Sequence, residues 1–183
     1  MKFDYYRYHR CSVRLKEYDY SQPGAYFVTV CTRNRESLFG EISNGSMKLN
    51  NFGKIAQECS EDLPNHSLSV RIDTFVVMPN HVHAIVFLAN DGGGTACRAP
   101  TLEQFGKPIT GSLATIMRSL KAAVSRQINQ LLHTPGLPIW QRNYYEHVIR
   151  KEESLDDIRQ YIIENPLRWT EDEENPTNIS LQR

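Results

Sequence analysis

Apolar residues along the chain switch between a period of two and a period near 3.6, and the switch points outline its elements. Residues 25–32 (AYFVTVCT) are β-branched and aromatic, the composition of a strand. Residues 37–49 carry short apolar pieces around Gly40 and Gly45 and read as a small hairpin. A helix is expected from Lys54 to Cys59 or Leu63, stopped by Pro64 and Asn65. Residues 70–78 (VRIDTFVVM) read as a second strand, Pro79-Asn80 as a tight turn, and residues 81–88 as a third strand running back. Farther on, Leu113, Ile116, Met117, Leu120, Val124 and Leu131 keep a helical period over residues 113–132, with Arg118, Lys121 and Ser125 off the apolar stripe. Residues 140–149 read as a fourth strand. Ser154, with Asp157 three residues on, resembles a capping box and opens a last helix. That helix ends at Asn165, because a residue before proline is pushed out of helical space.

Setting the hairpin aside, the order is strand, helix, strand, strand, helix, strand, helix. This predicts an α+β fold, the ferredoxin-like split βαβ with an antiparallel sheet, plus a C-terminal helix. Residues 1–24 form a basic, aromatic N-terminal arm and residues 25–169 the main domain. Within that domain, residues 89–112 (with Gly92-Gly93-Gly94, Pro100 and Pro108) read as a flexible loop, and residues 170–183 follow as an acidic tail. No internal repeat is visible.

The 183 residues suit a single domain, and a 40% hydrophobic content is enough for a core. No apolar run approaches the roughly 20 residues needed to span a bilayer, and MKFDYYRYHR lacks a signal-peptide core, so a cytoplasmic protein without a membrane partner is expected. Cys11, Cys31, Cys59 and Cys97 show no C-x-x-C pair and read as reduced and structural or incidental. Net charge is zero but unevenly spread: residues 151–183 carry nine acids against four bases, and residues 1–150 carry 17 bases against 12 acids. No acid occurs from Gln104 to Tyr145, a stretch holding Lys107, Arg118, Lys121, Arg126 and Arg142. Such a segment suits a surface that tracks phosphates, and equally an ordinary solvated helix face.

His81 and His83 lie two apart on a predicted strand, so both imidazoles leave one face while Val82, Ala84 and Val86 leave the other. Two adjacent imidazoles make half a metal site, or a polar patch on a solvated sheet. On the last helix, Tyr161 and Asn165 are four apart and share a face, with Leu155, Ile158 and Ile162 as docking residues. If that helix crosses the histidine face, the Asn165 carbonyl can reach the metal and Tyr161 sits one turn away. Otherwise Tyr161 is a packing residue and Asn165 a cap.

The segments VVMPNHVHAIV, VSRQINQ, IWQRNYYEHVIRKEE and YIIENP resemble the REP-associated tyrosine transposases. These belong with the insertion-sequence single-tyrosine transposases of the HUH endonuclease superfamily. The resemblance runs from Tyr18 to Trp169. It implies His81, His83 and Asn165 as metal ligands, Tyr161 as nucleophile, and Mg²⁺ or Mn²⁺ as the ion. Insertion-sequence relatives often carry Gln where Asn165 stands, which places this chain with the REP-associated branch, whose members can act as monomers; monomer and homodimer both stay open. The implied activity is nicking and rejoining of single-stranded or hairpin DNA through a 5′-phosphotyrosine. Tyrosine, with a solution pKa of ~10, needs a cation or base nearby to act.

Rival assignments are Tyr144 or Tyr145 as nucleophile and His147 as proton carrier. Arg10, Arg118, Lys121, Arg126, Trp140 and Arg142 are candidate DNA contacts, with Tyr5, Tyr6 and Tyr8 available for base stacking. Two other functions compete: a domesticated hairpin-binding protein that does not cut, and a hydrolase that activates water at the histidines.

Overall fold

A computed structural model describes residues 18–66, 69–89 and 109–179. Its main sheet contains β1 (Gly24–Cys31), β4 (Val70–Val77), β5 (His81–Leu88) and β6 (Tyr145–Ile149), in the spatial order β4-β5-β1-β6 with all neighbours antiparallel. β2 (Gly40–Ser43) and β3 (Ser46–Leu49) form the separate small hairpin. The helices are α1 (Asn51–Asp62), α2 (Leu113–Leu132), α3 (Glu152–Glu164) and a short α4 (Pro176–Ile179). This is the expected α+β arrangement, with the two central strands β5 and β1 joined along their whole lengths.

Strand alternation splits the interior in two. Tyr26, Val28, Val30, Val82, Ala84 and Val86 face α1 and α2, where Ile55, Ala56, Leu113, Met117, Leu120 and Val124 close the larger core. Ala25, Phe27, Ile85 and Ile149 face the other way, against Ile158 and Ile162 of α3. Burying those two isoleucines contributes about 2 kcal/mol each, which is what holds α3 on this face. An ion pair adds direction: Arg159 on α3 donates from Nε to Asp73 Oδ2 at 2.6 Å and from Nη2 to Asp73 Oδ1 at 2.8 Å. Asp73 sits where the β4–β5 register slips between Ile72 and Phe75, an irregularity that re-aims side chains.

Local chemistry explains most boundaries. α1 starts three residues earlier than expected because Asn50 caps it, its Oδ1 accepting from the Phe52 and Gly53 amides at 2.9 and 3.0 Å. Gly53 is required there, since a Cβ would lie 2.1 Å from the Phe39 carbonyl oxygen. α2 matches its predicted span and is capped by Ser112. Its inward stripe continues through Ile128, leaving Leu131 57% exposed, because Ile128 already occupies the core-facing turn.

Two further expectations are corrected. α3 begins at Glu152 rather than Ser154, with Lys151 at the N-cap and no side-chain cap; Glu152 and Glu153 meet the positive helix end instead. The fourth strand spans only Tyr145–Ile149, with Trp140 bridging Thr32 by itself. Between them, the Lys121 ammonium donates to the carbonyls of Gln141, Arg142 and Asn143 at 2.5, 3.4 and 3.2 Å, so those carbonyls are satisfied without a ladder. Most of the loop predicted at residues 89–112 and of the N-terminal arm lies outside the described residues.

Candidate active site on the histidine face

Register places His83 opposite Thr29 and His81 opposite Cys31. Both rings are completely buried, with centroids 4.3 Å apart. Each has its Nδ1 held by a neighbour: the Thr29 hydroxyl meets His83 Nδ1 at 2.8 Å, and Asn80 Oδ1 meets His81 Nδ1 at 2.9 Å. A polar partner on one imidazole nitrogen orients the ring and directs the other nitrogen toward a ligand. Phe27 lies beside His83 at 5.3 Å between centroids and packs edge-on to Tyr161 at 6.0 Å.

α3 delivers Tyr161 and Asn165 to this place. The Tyr161 hydroxyl is 3.3 Å from His83 Nε2. Asn165 closes the helix and is 1% exposed. Its amide donates to Asp172 Oδ2 at 2.9 Å, while its carbonyl oxygen, Oδ1, meets no hydrogen-bond donor among the described residues. A buried carbonyl oxygen left in that state is costly, and a cation or a water molecule would satisfy it.

The residues after α3 complete the pocket. Trp169 brings its ring within 6.0 Å of His81. Asp172 is buried, and a ligand atom from each of His81, His83 and Asp172 lies within 4.8 Å of the others. The Glu174 amide donates to Asp172 Oδ1 at 2.6 Å, fixing the carboxylate. Glu174 is itself buried at 1% exposure and is paired with Arg35 Nε at 2.9 Å, which offsets the cost of enclosing its charge. Burial, and then the nearby Glu174 carboxylate, push the Cys31 thiol well above its ordinary range, which favours the thiol over the thiolate.

The donor set of two imidazoles, one amide oxygen and one carboxylate suits a divalent ion that accepts mixed nitrogen and oxygen ligands. His81, His83, Tyr161 and Asn165, which the sequence singled out, lie together. Asp172, Asn80 and Thr29 were missed. Asp172 sits in an acidic run that carries no local signal, and Asn80 looked like an ordinary turn residue.

The remaining candidates are spread over the fold. Tyr144 packs against the larger core, while Tyr145 is on the histidine side at 6.1 Å from Phe27. His147 is partly buried on edge strand β6, and burial, then Arg150, lower its pKa. Trp140 is 8% exposed, packs on Phe39, and donates its indole N–H to the Lys121 carbonyl at 3.1 Å. Burial lowers the Lys121 pKa. Arg118 and Arg126 are exposed on α2, across the sheet from the histidines. Arg142 is exposed beside Gln141, whose amide donates to the Cys31 carbonyl at 2.9 Å, so it emerges at the histidine end of the sheet. Arg10 lies outside the described residues. Among the described residues, no helix is long and apolar enough to cross a membrane.

No family model matches the chain. An uncharacterized protein of Haemophilus influenzae is 41% identical over 171 residues, covering 91% of this chain and 93% of that protein. A second Haemophilus influenzae protein, provisionally named a REP-associated tyrosine transposase, is 25% identical over 154 residues, covering 82% of this chain and 74% of the other. A solved structure of a REP-associated tyrosine transposase bound to a REP hairpin superposes with a TM-score of 0.56 at 20% identity, covering 88% of this chain and 73% of its own. The chain therefore belongs to one family with the 41% identical Haemophilus protein, and it is a relative, in sequence and in fold, of the REP-associated tyrosine transposases.

Proposed function

We propose that the chain is a metal-dependent, single-tyrosine endonuclease and strand transferase acting on single-stranded or hairpin DNA. The observation that carries this reading is the contact of the Tyr161 hydroxyl with His83 Nε2 at 3.3 Å, beside the buried Asn165 carbonyl. A packing tyrosine would not need its hydroxyl turned onto an imidazole nitrogen in the middle of a ligand cluster.

His81, His83 and Asn165 would hold Mg²⁺ or Mn²⁺, and Asp172 is near enough to join them. When bound, such an ion supplies positive charge that neutralises the scissile phosphate and favours phenolate. The chain's own residues do the rest. Tyr161 Oη gives up its proton to solvent and attacks phosphorus, the bond to the 3′-oxygen breaks, and that oxygen takes a proton from solvent and leaves as a hydroxyl. The product is a 5′-phosphotyrosine, which conserves the phosphodiester energy so that a 3′-hydroxyl can reverse the reaction. Phe27 and the α3 backbone fix the phenol in place, which makes attack effectively unimolecular.

The related solved structure is described as bound to a REP hairpin, and a folded repeat is the substrate class we carry to this chain. Exposed Arg118, Arg126 and Arg142 are proposed phosphate contacts, with Arg142 nearest the site. The test uses hairpin oligonucleotides labelled at the 3′ end, with Mn²⁺ present. A labelled band migrating with the protein on a denaturing gel supports the reading. Cleavage without an adduct would point to water activation instead, and binding without cleavage to a non-cutting hairpin reader.

A further inference from the structure

Asn80 lies in the turn between β4 and β5, immediately before the first histidine, and is completely buried. Its Nδ2 donates to the Arg35 carbonyl at 3.1 Å and to the Glu174 carbonyl at 2.6 Å. Carbonyl oxygens can only accept, so both amide hydrogens are committed and the orientation of the amide is settled. The atom facing His81 at 2.9 Å is then Oδ1, an acceptor, and His81 Nδ1 must carry a hydrogen. A neutral imidazole carries one hydrogen, which leaves the lone pair on Nε2. In water the neutral histidine side chain prefers the opposite tautomer, with hydrogen on Nε2, so the form seen here has to be imposed.

We infer that Asn80 is a positioning residue that imposes this tautomer and so presents Nε2 of His81 as the ligand atom. The Glu174 carbonyl holds Asn80 in register, which makes residues 172–175 part of the same device. Asn80 thus joins three segments distant in sequence: the loop after β1 at Arg35, the turn before the histidines, and the chain after α3. The tautomer assignment stands on geometry alone, whereas its consequence for metal affinity rests on the metal-dependent reading proposed above.

The experiment is long-range ¹H–¹⁵N NMR on the full chain with ¹⁵N-labelled histidine, at a pH where the imidazole is neutral. The His81 signal is identified by its loss in His81→Asn, and Mn²⁺ affinity is measured in parallel by EPR. The wild-type chain should show hydrogen on His81 Nδ1. Asn80→Ala should move the hydrogen toward Nε2 and weaken Mn²⁺ binding by about 10–100-fold. Asn80→Asp keeps an acceptor but loses both donors. It should preserve the tautomer and hold Mn²⁺ within a few-fold of wild type, while amide exchange at residues 172–175 speeds up.

Hydrogen on Nε2 in the wild-type chain, or an unchanged tautomer and affinity in Asn80→Ala, overturns the inference. If Asn80→Ala does not fold, the wild-type tautomer and the Asn80→Asp variant decide it. A wild-type chain with the expected tautomer but no Mn²⁺ binding overturns the metal reading and the functional half of the inference, leaving the tautomer assignment in place.

Discussion

The Tyr161 hydroxyl rests 3.3 Å from His83 Nε2, joining the last long helix to a central strand 78 residues earlier. The nitrogen it touches is the one not engaged by Thr29, and therefore the one His83 can offer to a cation. The proposed nucleophile thus lies against the nitrogen proposed to bind the ion. Tyr161→Phe keeps the ring that packs on Phe27 and removes only the reacting oxygen. Cleavage should fall by on the order of 10³-fold or more, with no covalent adduct and little change in melting temperature. Adduct formation by Tyr161→Phe would move the nucleophile elsewhere, Tyr145 being next on this face.

Asn165 and Asp172 act as a pair, since the amide of one donates to the carboxylate of the other at 2.9 Å. Asn165→Ala removes the enclosed carbonyl oxygen and strips Asp172 of a donor. Asp172→Asn removes charge beside the histidines. Each should weaken Mn²⁺ binding by about 10–100-fold as measured by calorimetry. For the unmodified chain, Mn²⁺ at a hundred times its Kd should add about 2.7 kcal/mol of stability, read as a rise in melting temperature that EDTA reverses. Equal melting curves with and without the ion would argue against a site here.

The Arg159–Asp73 pair aims α3, and with it Tyr161 and Asn165. The Arg159 guanidinium holds the Asp73 carboxyl below its ordinary pKa. A depressed carboxyl contributes stability above its unfolded pKa, near ~3.9, and loses it as pH falls through the folded value. The pair should therefore hold α3 at neutral pH and fail only below about pH 4. Because Arg159 is partly exposed, Arg159→Ala should cost no more than about 1 kcal/mol of global stability. Its larger effect should be on cleavage rate, through a misplaced phenol. A variant that cleaves at the wild-type rate would show that Ile158 and Ile162 alone position the helix.

Arg142 and Lys121 are both basic but differently placed. Arg142 is exposed at the histidine end of the sheet, whereas the Lys121 ammonium is bound to three backbone carbonyls. Arg142→Ala should weaken binding to single-stranded DNA and reduce the slope of log K against log salt by about 0.7. Lys121→Ala should leave that slope unchanged and lower stability by about 1–2 kcal/mol instead. Filter binding across a salt series, with thermal melts of both variants, separates the two.

Sequence pattern alone determined the order of the four sheet strands, the hairpin and the three long helices, though not all of their bounds nor α4, because burial on one or two faces imposes a period of two or 3.6. It also determined that His81 and His83 share a face, and that Tyr161 and Asn165 share another, since those are consequences of strand and helix geometry. It could not bring the two faces together. That depended on Ile158 and Ile162 finding Phe27 and Ile85, and on Arg159 finding Asp73, contacts that no local period encodes. The span of α2 was legible from its apolar period without its Ser112 cap, whereas the capping pattern at Ser154 misled, because acidic residues in the first turn began that helix two positions sooner.

Asp172 shows the limit most clearly. In sequence it is one acid in a run of four and gives no sign of a role. In the fold it is buried beside His81 and His83, held by Asn165 and the Glu174 amide. The reason is physical: a carboxylate is enclosed only where several donors surround it. Those donors come from segments the chain brings together only when it folds.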